Sequence, residues 1–327
     1  MKILITETMY CLEEAKEAVA QIADALGEVI LNPYGRKMTP QEVMAHWDDV
    51  DVIINGTETY DAAFLAQAPE SLKMIARNGV SFENIDLKAS EEKKIAVAVV
   101  RGANSRAVAD GTMALLLAVT RHINVTDRQV RAGLWNGVVA DDIHHKTLGI
   151  LGFGAIGKEV AKRARGFDMT VLAYSPPGEF DGEFAAAHGV QKSDLEEILR
   201  CSDFVTLHMP VVPVTRGIIN RETLAKMKPS AYLINTSRGA LVNEQDLYEA
   251  LKNGVIRGAA LDVFETEPAK DSPLFELDNT VFSPHCAGVS VGVIHEMARI
   301  NIENILAVSR GDTCGGIVCG PFGTRWE

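Results

Sequence analysis

The chain has 327 residues, of which 47% are hydrophobic and 23% charged, and its formal net charge is −12. Its length predicts about two domains, and the acidic excess argues against nucleic acid or an anionic membrane surface as a partner. The longest apolar run, MALLLAV at 113–119, is too short to span a bilayer. The amino terminus carries no signal-peptide pattern, so we expect a cytoplasmic protein.

The first part of the chain alternates short apolar runs with amphipathic segments. The apolar runs predict buried parallel strands at 2–6, 51–55, 72–77 and 95–100. The amphipathic segments predict helices between them, at 12–26 and 40–47. This alternation predicts an open parallel sheet with helices on both faces.

A long apolar helix is predicted from about Asn104 to Arg131, and the alternation then starts again. Further strands are predicted at 147–151, 170–174, 203–207, 231–235, 257–261 and 280–282. A last helix, at about 289–309, is expected to return to the first domain. We therefore predict an α/β fold of two doubly wound parallel-sheet domains with a cleft between them, in which residues 101–288 are inserted into a domain formed by 1–100 and 289–327.

The segment LGILGFGAIGKEVA places a glycine-rich turn between an apolar strand and a helix. In such a turn Gly152 permits the tight bend, Gly154 lets a pyrophosphate approach the backbone, and Gly157 lets helix and strand pack closely. The amino end of the helix then faces the negative charge. A simple tight turn between strand and helix is the alternative, but the flanking strand and helix favour a dinucleotide site.

The next strand ends at Ser175, where an NAD-binding chain usually has an acid that binds the ribose hydroxyls. Glu179 or Asp181 could replace that acid, whereas Arg163 and Arg165 on the preceding helix could favour the 2′-phosphate of NADP. Pro176 and Pro177 follow Ser175, and no positive charge comes directly after it. We expect NAD as the cofactor and leave NADP open.

Three chemically complementary residues follow three later strands: Arg238 in NTSRG, Glu267 in DVFETEP and His285 in SPHCAG. The carboxyl ends of parallel strands face the ligand crevice of an open α/β sheet, so these residues are expected to converge. An arginine can hold a substrate carboxylate. A histidine can protonate a carbonyl oxygen as hydride arrives, and a glutamate can orient the imidazole and favour its protonated form. Each residue alone has a simpler explanation, as a carbonyl cap, a solvated charge or a buried, satisfied side chain.

Together, the segments LGILGFGAIGKEVA, LHMPVVPVTRGIIN, LINTSRGALVNEQDLYEAL, GAALDVFETEP and SPHCAG resemble the D-isomer-specific 2-hydroxyacid dehydrogenases, and MIARNGVSFENID and VRGANSRAVADGT extend the resemblance to the amino-terminal part. It implies a Rossmann dinucleotide-binding domain inserted in a flavodoxin-like substrate domain, catalysis by Arg238, Glu267 and His285, and a homodimer formed through the nucleotide domains. Formate-oxidising relatives pair a glutamine with the histidine, so Glu267 favours 2-hydroxyacid chemistry.

The resemblance also assigns residues to the ligands. Cofactor contacts are predicted from Asn104, Thr112, Gly152, Gly154, Ala155, Ile156, Gly157, Ser175, His208, Pro210, Thr215, Thr236, Ser237, Asp262 and Gly288. Substrate contacts are predicted from Thr57, Arg77, Asn78, Gly79, Val80 and Ser81, together with Arg238 and His285. Backbone N–H groups of the loop NGVSFEN are expected to meet the substrate carboxylate, although Ser81 and Glu83 replace the family's usual glycine and aspartate.

The substrate is expected to be a small 2-oxo acid such as glyoxylate, hydroxypyruvate or pyruvate. Glu58 would repel a phosphate on a larger substrate, although Arg77 could offset it, and the chain ends without the regulatory module of many phosphoglycerate dehydrogenases. Oxidation of 3-phosphoglycerate or phosphite remains an alternative, as does a dinucleotide-sensing corepressor with little turnover.

Neither a metal nor a disulfide is expected. The five cysteines are odd in number and scattered, so they form no disulfide framework. Cys314 and Cys319 lie close together, and DDIHH at 141–145 gathers four possible ligands, but no second ligand cluster accompanies either segment.

Overall fold

The computed structural model describes residues 1–175, 180–322 and 326 of the chain. Glu179, Pro176 and Pro177, considered above for cofactor choice, lie outside the described residues. The chain divides into two compact units, the first formed by Met1–Asn104 with Val289–Glu327 and the second by Ser105–Gly288. No helix in the described part of the chain is both long and apolar enough to cross a bilayer.

The strands of the described residues are β1 Lys2–Ile5, β2 Glu28–Leu31, β3 Val52–Asn55, β4 Met74–Arg77, β5 Ala96–Val99, β6 Thr147–Leu151, β7 Thr170–Tyr174, β8 Val190–Lys192, β9 Phe204–Leu207, β10 Tyr232–Asn235, β11 Gly258–Leu261, β12 Thr280–Phe282 and β13 Ile317–Cys319. The helices are α1 Lys16–Leu26, α2 Pro40–Met44, α3 Ala62–Ala66, α4 Leu87–Glu92, α5 Ser105–Thr120, α6 Ile123–Arg131, α7 Ala155–Arg165, α8 Gly182–His188, α9 Leu195–Cys201, α10 Arg221–Leu224, α11 Glu244–Lys252 and α12 Val291–Ser309.

The first unit is built on a six-stranded sheet of the described residues, in the order β13-β5-β4-β3-β1-β2. The strands from β2 to β5 are parallel and follow the flavodoxin order. Alternate residues of β1 enter the cores on opposite faces, Ile3 and Ile5 on one and Leu4 on the other. Both faces are therefore covered, which explains why these strands are apolar throughout.

One edge of this sheet differs from the prediction. β13 pairs with β5 in the antiparallel direction, so the expectation of a purely parallel sheet is wrong at this edge. The strand Ile317–Cys319 is short, its residues are half-buried, and it follows a glycine-rich turn. Such a segment carries little hydrophobic periodicity, which is why the sequence did not reveal it.

The second unit has a seven-stranded parallel sheet in its described residues, in the order β12-β11-β10-β9-β6-β7-β8. The order places β6 inside the sheet, between β9 and β7, and reverses there, as in the Rossmann fold. Alternate residues of β6 again supply both faces, with Ile150 in one core and Leu151 in the other. The predicted α/β fold class with two doubly wound sheets is confirmed.

The long helix predicted from Asn104 to Arg131 is in fact two helices. α5 ends at Thr120, and His122 then adopts a left-handed backbone conformation with φ of 53° before α6 begins. The two helices differ in burial, because α5 packs against the sheet and α7 whereas α6 has no buried residue. The apolar face that made one continuous helix plausible therefore stops with α5.

Candidate active site

The three glycines of the turn after β6 do three different jobs. Gly152 has φ of 105°, and a Cβ there would lie 2.3 Å from the carbonyl oxygen of His208. A Cβ on Gly157 would lie 2.2 Å from the carbonyl oxygen of Gly152, so this position allows helix and turn to pack closely. A Cβ on Gly154 would meet nothing within 4 Å. The space above Gly154 is therefore free for a ligand, as the dinucleotide prediction requires.

The amino end of α7 fits an anion. Gly154 is the N-cap residue and no side chain caps the helix, so the N–H groups of Ala155 and Ile156 in the first turn have no helical partner. Unpaired N–H groups and the helix dipole together favour negative charge at such an end. These residues can hold a dinucleotide pyrophosphate.

Ser175 is part of the glycine turn's support. Its Oγ accepts a hydrogen bond of 2.9 Å from the N–H of Phe153, and its side chain is buried. The hydroxyl that stands in place of the usual acid therefore fixes the turn between β6 and α7. This contact gives Ser175 a structural role that the sequence did not indicate.

Two of the other charged residues considered for cofactor choice, Asp181 and Arg163, are engaged elsewhere. Asp181 caps α8 and accepts a 2.6 Å bond from Lys158, which lowers the pKa of its carboxyl. Arg163 bonds to Asp110 at 2.6 Å and to Glu159. Arg163 also lies in the last turn of α7, about 12 Å along the helix from its amino end. Its side chain is therefore unsuited to bind a 2′-phosphate at the end of β7.

Strand register aligns the ends of β10, β11 and β12. Asn235 pairs with Leu261, and Leu261 pairs with Phe282, so the three strands end at the same level of the sheet. Arg238 and His285 each follow three residues beyond their strand, and Glu267 follows in the loop between them. The predicted catalytic residues thus all follow the carboxyl ends of three neighbouring strands, on the same side of the sheet.

His285 and Glu267 form a hydrogen-bonded pair. His285 Nδ1 lies 2.7 Å from Glu267 Oε2, and Glu267 Oε1 accepts the N–H of Phe264 at 3.1 Å. The two side chains are 52% and 37% exposed, so a ligand can reach them. With Nδ1 directed at a carboxylate, Nε2 is the ring atom left for proton exchange with a substrate.

Asp262 holds the backbone that carries His285. His285 has φ of 53°, a conformation that side-chain-bearing residues rarely adopt. Its N–H donates to the carbonyl oxygen of Asp262 at 2.7 Å, while the buried Asp262 carboxylate accepts from the N–H groups of Cys286 and Ala287 at 2.9 and 3.0 Å. Ser283 Oγ bonds to the same carboxylate. Asp262 therefore braces the catalytic loop, which its prediction as a cofactor contact did not include.

Arg238 is positioned from both sides. The buried Asn235 accepts the N–H of Ser237 at 3.0 Å and donates to the carbonyl oxygen of Arg238 at 2.9 Å. Arg238 Nη1 in turn donates to the carbonyl oxygen of Ser237 at 2.7 Å. A Cβ on Gly239 would lie 1.9 Å from the carbonyl carbon of Phe264, so only glycine lets the loops after β10 and β11 approach this closely.

Several predicted cofactor residues have side chains bonded within the protein. Thr112 Oγ1 lies 2.8 Å from Thr236 Oγ1, and both residues are buried. Ser237 Oγ donates to a backbone carbonyl of the loop after β9 at 2.8 Å. Thr215 Oγ1 donates to the carbonyl oxygen of Pro210 at 2.7 Å and so closes that loop. These hydroxyls shape the carboxyl edge of the sheet, and their contact with a cofactor stays a prediction.

His208 directly follows β9, beside the glycine turn. Its Nε2 lies 2.9 Å from Thr206 Oγ1, and its N–H donates to the carbonyl oxygen of Leu151. Burial lowers the pKa of His208 to about 3, so the ring is neutral at physiological pH. Asn104 and Gly288 are the last residues of the first unit's amino-terminal segment and of the second unit, respectively.

The predicted substrate loop lies in the first unit, after β4. Asn78 is buried, and the Arg77 guanidinium lies where a Cβ on Gly79 would sit, 2.5 Å from Nη1. Within the described residues, the N–H groups of Val80 and Ser81 donate to no acceptor. Two adjacent unpaired N–H groups on an accessible loop suit a carboxylate.

The neighbouring loop after β3 differs from expectation at one residue. Thr57 is exposed, and its carbonyl oxygen accepts a 2.7 Å bond from Lys37. Glu58 is buried instead, and its carboxylate accepts the N–H of Gly56 at 2.9 Å. Burial raises the pKa of Glu58, with the charge of Glu7 as a further cause. Its carboxylate belongs to the loop's own structure, which weakens the argument that it repels a substrate phosphate.

The described residues contain no group of three or more side chains suited to hold a metal ion. All five cysteines are free. Cys286, next to His285, is exposed as a residue, but partial desolvation of its thiol, together with the nearby charge of Asp262, raises the thiol's pKa.

The second unit also matches a known family. A model of the NAD-binding domain of the D-isomer-specific 2-hydroxyacid dehydrogenases covers residues 113–287, more than half of the chain. The chain belongs to the D-isomer-specific 2-hydroxyacid dehydrogenase family. It is therefore an NAD-linked oxidoreductase by family, and the matched residues include the glycine turn and all three strand-end residues.

Curated relatives of this 2-hydroxyacid dehydrogenase cover most of its length. A D-3-phosphoglycerate dehydrogenase of Methanocaldococcus jannaschii is 38% identical over 98% of this chain, which spans only 60% of that relative. A glyoxylate reductase of Korarchaeum cryptofilum is 40% identical over 81% of each chain. The solved structure of D-lactate dehydrogenase from Escherichia coli superimposes with a TM-score of 0.87 at 25% identity, covering 97% of this chain and 100% of the other.

Some residues that build this dehydrogenase's site were missed in the sequence. Asn235, Gly239 and Ser283 were not predicted to contact a ligand. In the structure they support the backbone that carries Arg238 and His285. An asparagine that ends an apolar strand is a signal for a side-chain turn, and it was available in LINTSRG. The closeness of Gly239 to Phe264 depends on two distant loops and carries no local signal.

Proposed function

We propose that the protein reduces a small 2-oxo acid to the D-2-hydroxy acid, with glyoxylate, hydroxypyruvate and pyruvate as the preferred substrates. The observation that carries this proposal is the 2.7 Å pair of His285 and Glu267 at aligned strand ends that also carry Arg238. A carboxylate-oriented imidazole beside a guanidinium suits a substrate with adjacent carboxylate and carbonyl groups. The names of the glyoxylate reductase and D-lactate dehydrogenase relatives support this substrate class.

In the proposed reaction a nicotinamide cofactor held by the glycine turn and the amino end of α7 would supply the hydride for the carbonyl carbon. His285 donates the Nε2 proton to the carbonyl oxygen, so the product leaves as an alcohol and the imidazole is left neutral. Glu267 keeps the ring oriented and stabilises the imidazolium before transfer. Arg238 binds the carboxylate and polarises the carbonyl. The unpaired N–H groups of Val80 and Ser81 are proposed to assist carboxylate binding.

We propose NADH as the preferred cofactor, with NADPH also open. The Gly154 space and the uncapped amino end of α7 support a dinucleotide. Among the described residues considered for this choice, Asp181 is bonded to Lys158 and Arg163 to Asp110, whereas the exposed Arg165 ends α7. Cofactor choice therefore has to be measured.

The test is a spectrophotometric assay of NADH and NADPH consumption with purified protein. Each cofactor is offered with glyoxylate, hydroxypyruvate, pyruvate, 2-oxoglutarate and 3-phosphohydroxypyruvate. We expect turnover with the first three acids that His285→Ala abolishes. Fastest turnover with 3-phosphohydroxypyruvate would favour the phosphoglycerate dehydrogenase alternative. NADH binding without any turnover would instead overturn the enzymatic proposal in favour of dinucleotide sensing.

We also propose that the protein is a cytoplasmic homodimer without nucleic-acid or membrane partners. Five free cysteines suit a reducing compartment, and the net charge of −12 disfavours polyanions. Exposed apolar side chains between 123 and 139 support association with a second copy, with Trp135 88% and Val139 92% exposed. Cell fractionation and sedimentation velocity test these statements, and a monomer at micromolar concentration would contradict the dimer.

A further inference from the structure

A buried cluster of three polar side chains lies behind the substrate loop. Asn78 Oδ1 accepts a 3.1 Å hydrogen bond from Tyr10 Oη and a 2.8 Å bond from Asn301 Nδ2. The three side chains are 1%, 4% and 0% exposed for Tyr10, Asn78 and Asn301, respectively. The residues come from three distant parts of the chain: the segment after β1, the end of β4 and the middle of α12.

In this cluster Tyr10 and Asn301 donate hydrogen bonds, and the side-chain oxygen of Asn78 accepts both. Burial raises the pKa of Tyr10, so its phenol stays protonated and remains a donor. Asn78 Oδ1 has two lone pairs, and the two donors occupy both. The Asn78 side-chain oxygen is therefore held by residues outside the loop, while Asn78 Nδ2 and Asn301 Oδ1 are buried without a hydrogen-bond partner in the described part of the chain. Removing either donor leaves a buried acceptor partly unsatisfied, which is costly in a water-free environment.

The loop that follows Asn78 depends on its position. The N–H of Asn78 donates to the carbonyl oxygen of Asn55 at 2.9 Å, and the carbonyl oxygen of Gly79 accepts from Val100 at 3.0 Å. The unpaired N–H groups of Val80 and Ser81 come directly afterwards. A shift of Asn78 is thus transmitted within two residues to the groups proposed to meet the substrate carboxylate.

We propose that Tyr10 and Asn301 are positioning residues of the substrate loop, which hold the Val80 and Ser81 N–H groups in place through the side chain of Asn78. This inference rests on the proposed function for its effect on catalysis. The structural part, that the cluster fixes the loop, stands on the contacts alone. Neither Tyr10 nor Asn301 was singled out as a functional residue in the sequence.

The test compares Asn301→Leu and Tyr10→Phe with Asn304→Leu. Asn304 is a matched control because it is buried on the same helix and donates to the carbonyl oxygen of Val99 at 3.2 Å, not to the Asn78 side chain. In the two cluster variants we expect KM for the 2-oxo acid to rise about tenfold, the loss of one well-placed hydrogen bond. KM for NADH should stay within about twofold of wild type, since the glycine turn is untouched.

Loop order is measured independently of turnover by amide hydrogen exchange of a peptide that begins upstream of the loop and spans 74–86, so that the labels on residues 78 and 79 are retained. The bonded amides of Asn78 and Gly79 are its reporters. We expect exchange to accelerate at least about tenfold in both cluster variants and not in Asn304→Leu. Unchanged exchange would overturn the proposal, even if the wild-type enzyme turned over every acid.

The kinetic and exchange results separate the two proposals. If Asn304→Leu raised KM for the acid as much as Asn301→Leu, the cluster would have only a general structural role and the positioning inference would be wrong. Absence of turnover in the wild type would contradict the proposed function, while faster exchange in the cluster variants would still support the loop's dependence on Tyr10 and Asn301.

Discussion

At the residue scale, the backbone that carries Arg238 and His285 is held by polar contacts of the Asn235 and Asp262 side chains. Arg238, Glu267 and His285 were predicted as catalytic because their motifs and strand-end positions are visible in the sequence, and their role in catalysis stays a prediction. The groups that orient them were less visible, because Asp262 acts through three backbone N–H or carbonyl contacts that form only when the loop is folded. Ser175 likewise looked like a missing acid and is a support for Phe153.

Replacing Glu267 by glutamine tests the charge on the histidine's partner. Glutamine keeps the shape and one acceptor oxygen but loses the negative charge that stabilises an imidazolium. We expect kcat to fall about 10- to 100-fold while the Kd for NADH changes little. The matched control is Glu265→Gln, an exposed glutamate of the same loop. Equal activity of both variants would show that the pair is dispensable.

The buried ring of His208 should make the free energy of unfolding depend on pH in the acid range. Its pKa is about 3 in the folded protein and about 6.5 when unfolded, so below about pH 6.5 the unfolded chain takes up the proton first. The free energy of unfolding should therefore decline as pH falls from about 6.5 towards 3. In His208→Gln we expect the loss between about pH 7 and 5 to be smaller by about 1–2 kcal/mol.

Denaturant unfolding at several pH values measures this difference, with His144→Gln as a control because its side chain is 62% exposed. Parallel pH dependence of wild type and His208→Gln would mean that the ring is protonated in the folded state as readily as in the unfolded one.

At the scale of elements, apolar strands were predicted to within a few residues, including the edge strand β12, whereas the edge strands β2, β8 and β13 and the break in the long helix were not. β2 and β8 lie at sheet edges and carry mostly exposed or half-buried residues, so their sequences lack a buried strand's pattern. The break at His122 was hidden because the amphipathic pattern of a helix continues through α6. Local patterns identify what is buried, and edge elements take their conformation from pairing.

In the glycine turn, one substitution should affect cofactor binding alone and another should affect protein stability. In Gly154→Ala the added methyl group meets no protein atom within 4 Å but occupies the proposed pyrophosphate space. We expect the Kd for NADH to rise at least about tenfold with an unchanged melting temperature. In Gly157→Ala the methyl group would overlap the carbonyl oxygen of Gly152, so we expect a loss of about 1–3 kcal/mol in stability.

Fluorescence titration with NADH and thermal melting of both variants measure the two effects. Tight binding of NADH by Gly154→Ala would place the pyrophosphate elsewhere.

At the scale of the whole molecule, the surface that we expect to form the dimer interface differs from the one that the sequence suggested. The sequence suggested the apolar helix that is now α5, but its apolar residues are largely buried against the sheet. The exposed apolar residues lie beyond it, in α6 and the segment that follows, up to Val139. A sequence cannot tell these cases apart, because both regions are apolar and only the fold decides which one is covered.

A charge at Trp135 should therefore prevent association. We expect Trp135→Glu to sediment as a monomer under conditions in which the wild type is a dimer, because a carboxylate cannot be buried unpaired in an apolar interface. Val214→Glu is the control, since Val214 is 82% exposed in the same unit but outside the 123–139 segment. A dimer that survives in Trp135→Glu would exclude this segment as the interface.

The insertion of the second unit into the first also sets the order in which a ribosome can deliver the parts. β5 is made long before β13, its antiparallel neighbour, and α12 supplies Ile294, Ala298 and Ile305 to the first unit's core only near the end of synthesis. At about 5–20 residues per second, the first unit waits roughly 10–40 s with the β5 edge unpaired. Meanwhile the residues of the second unit emerge without interruption. We therefore expect nascent chains that have not yet reached Ile317 to bind chaperones and to aggregate more readily than the complete chain.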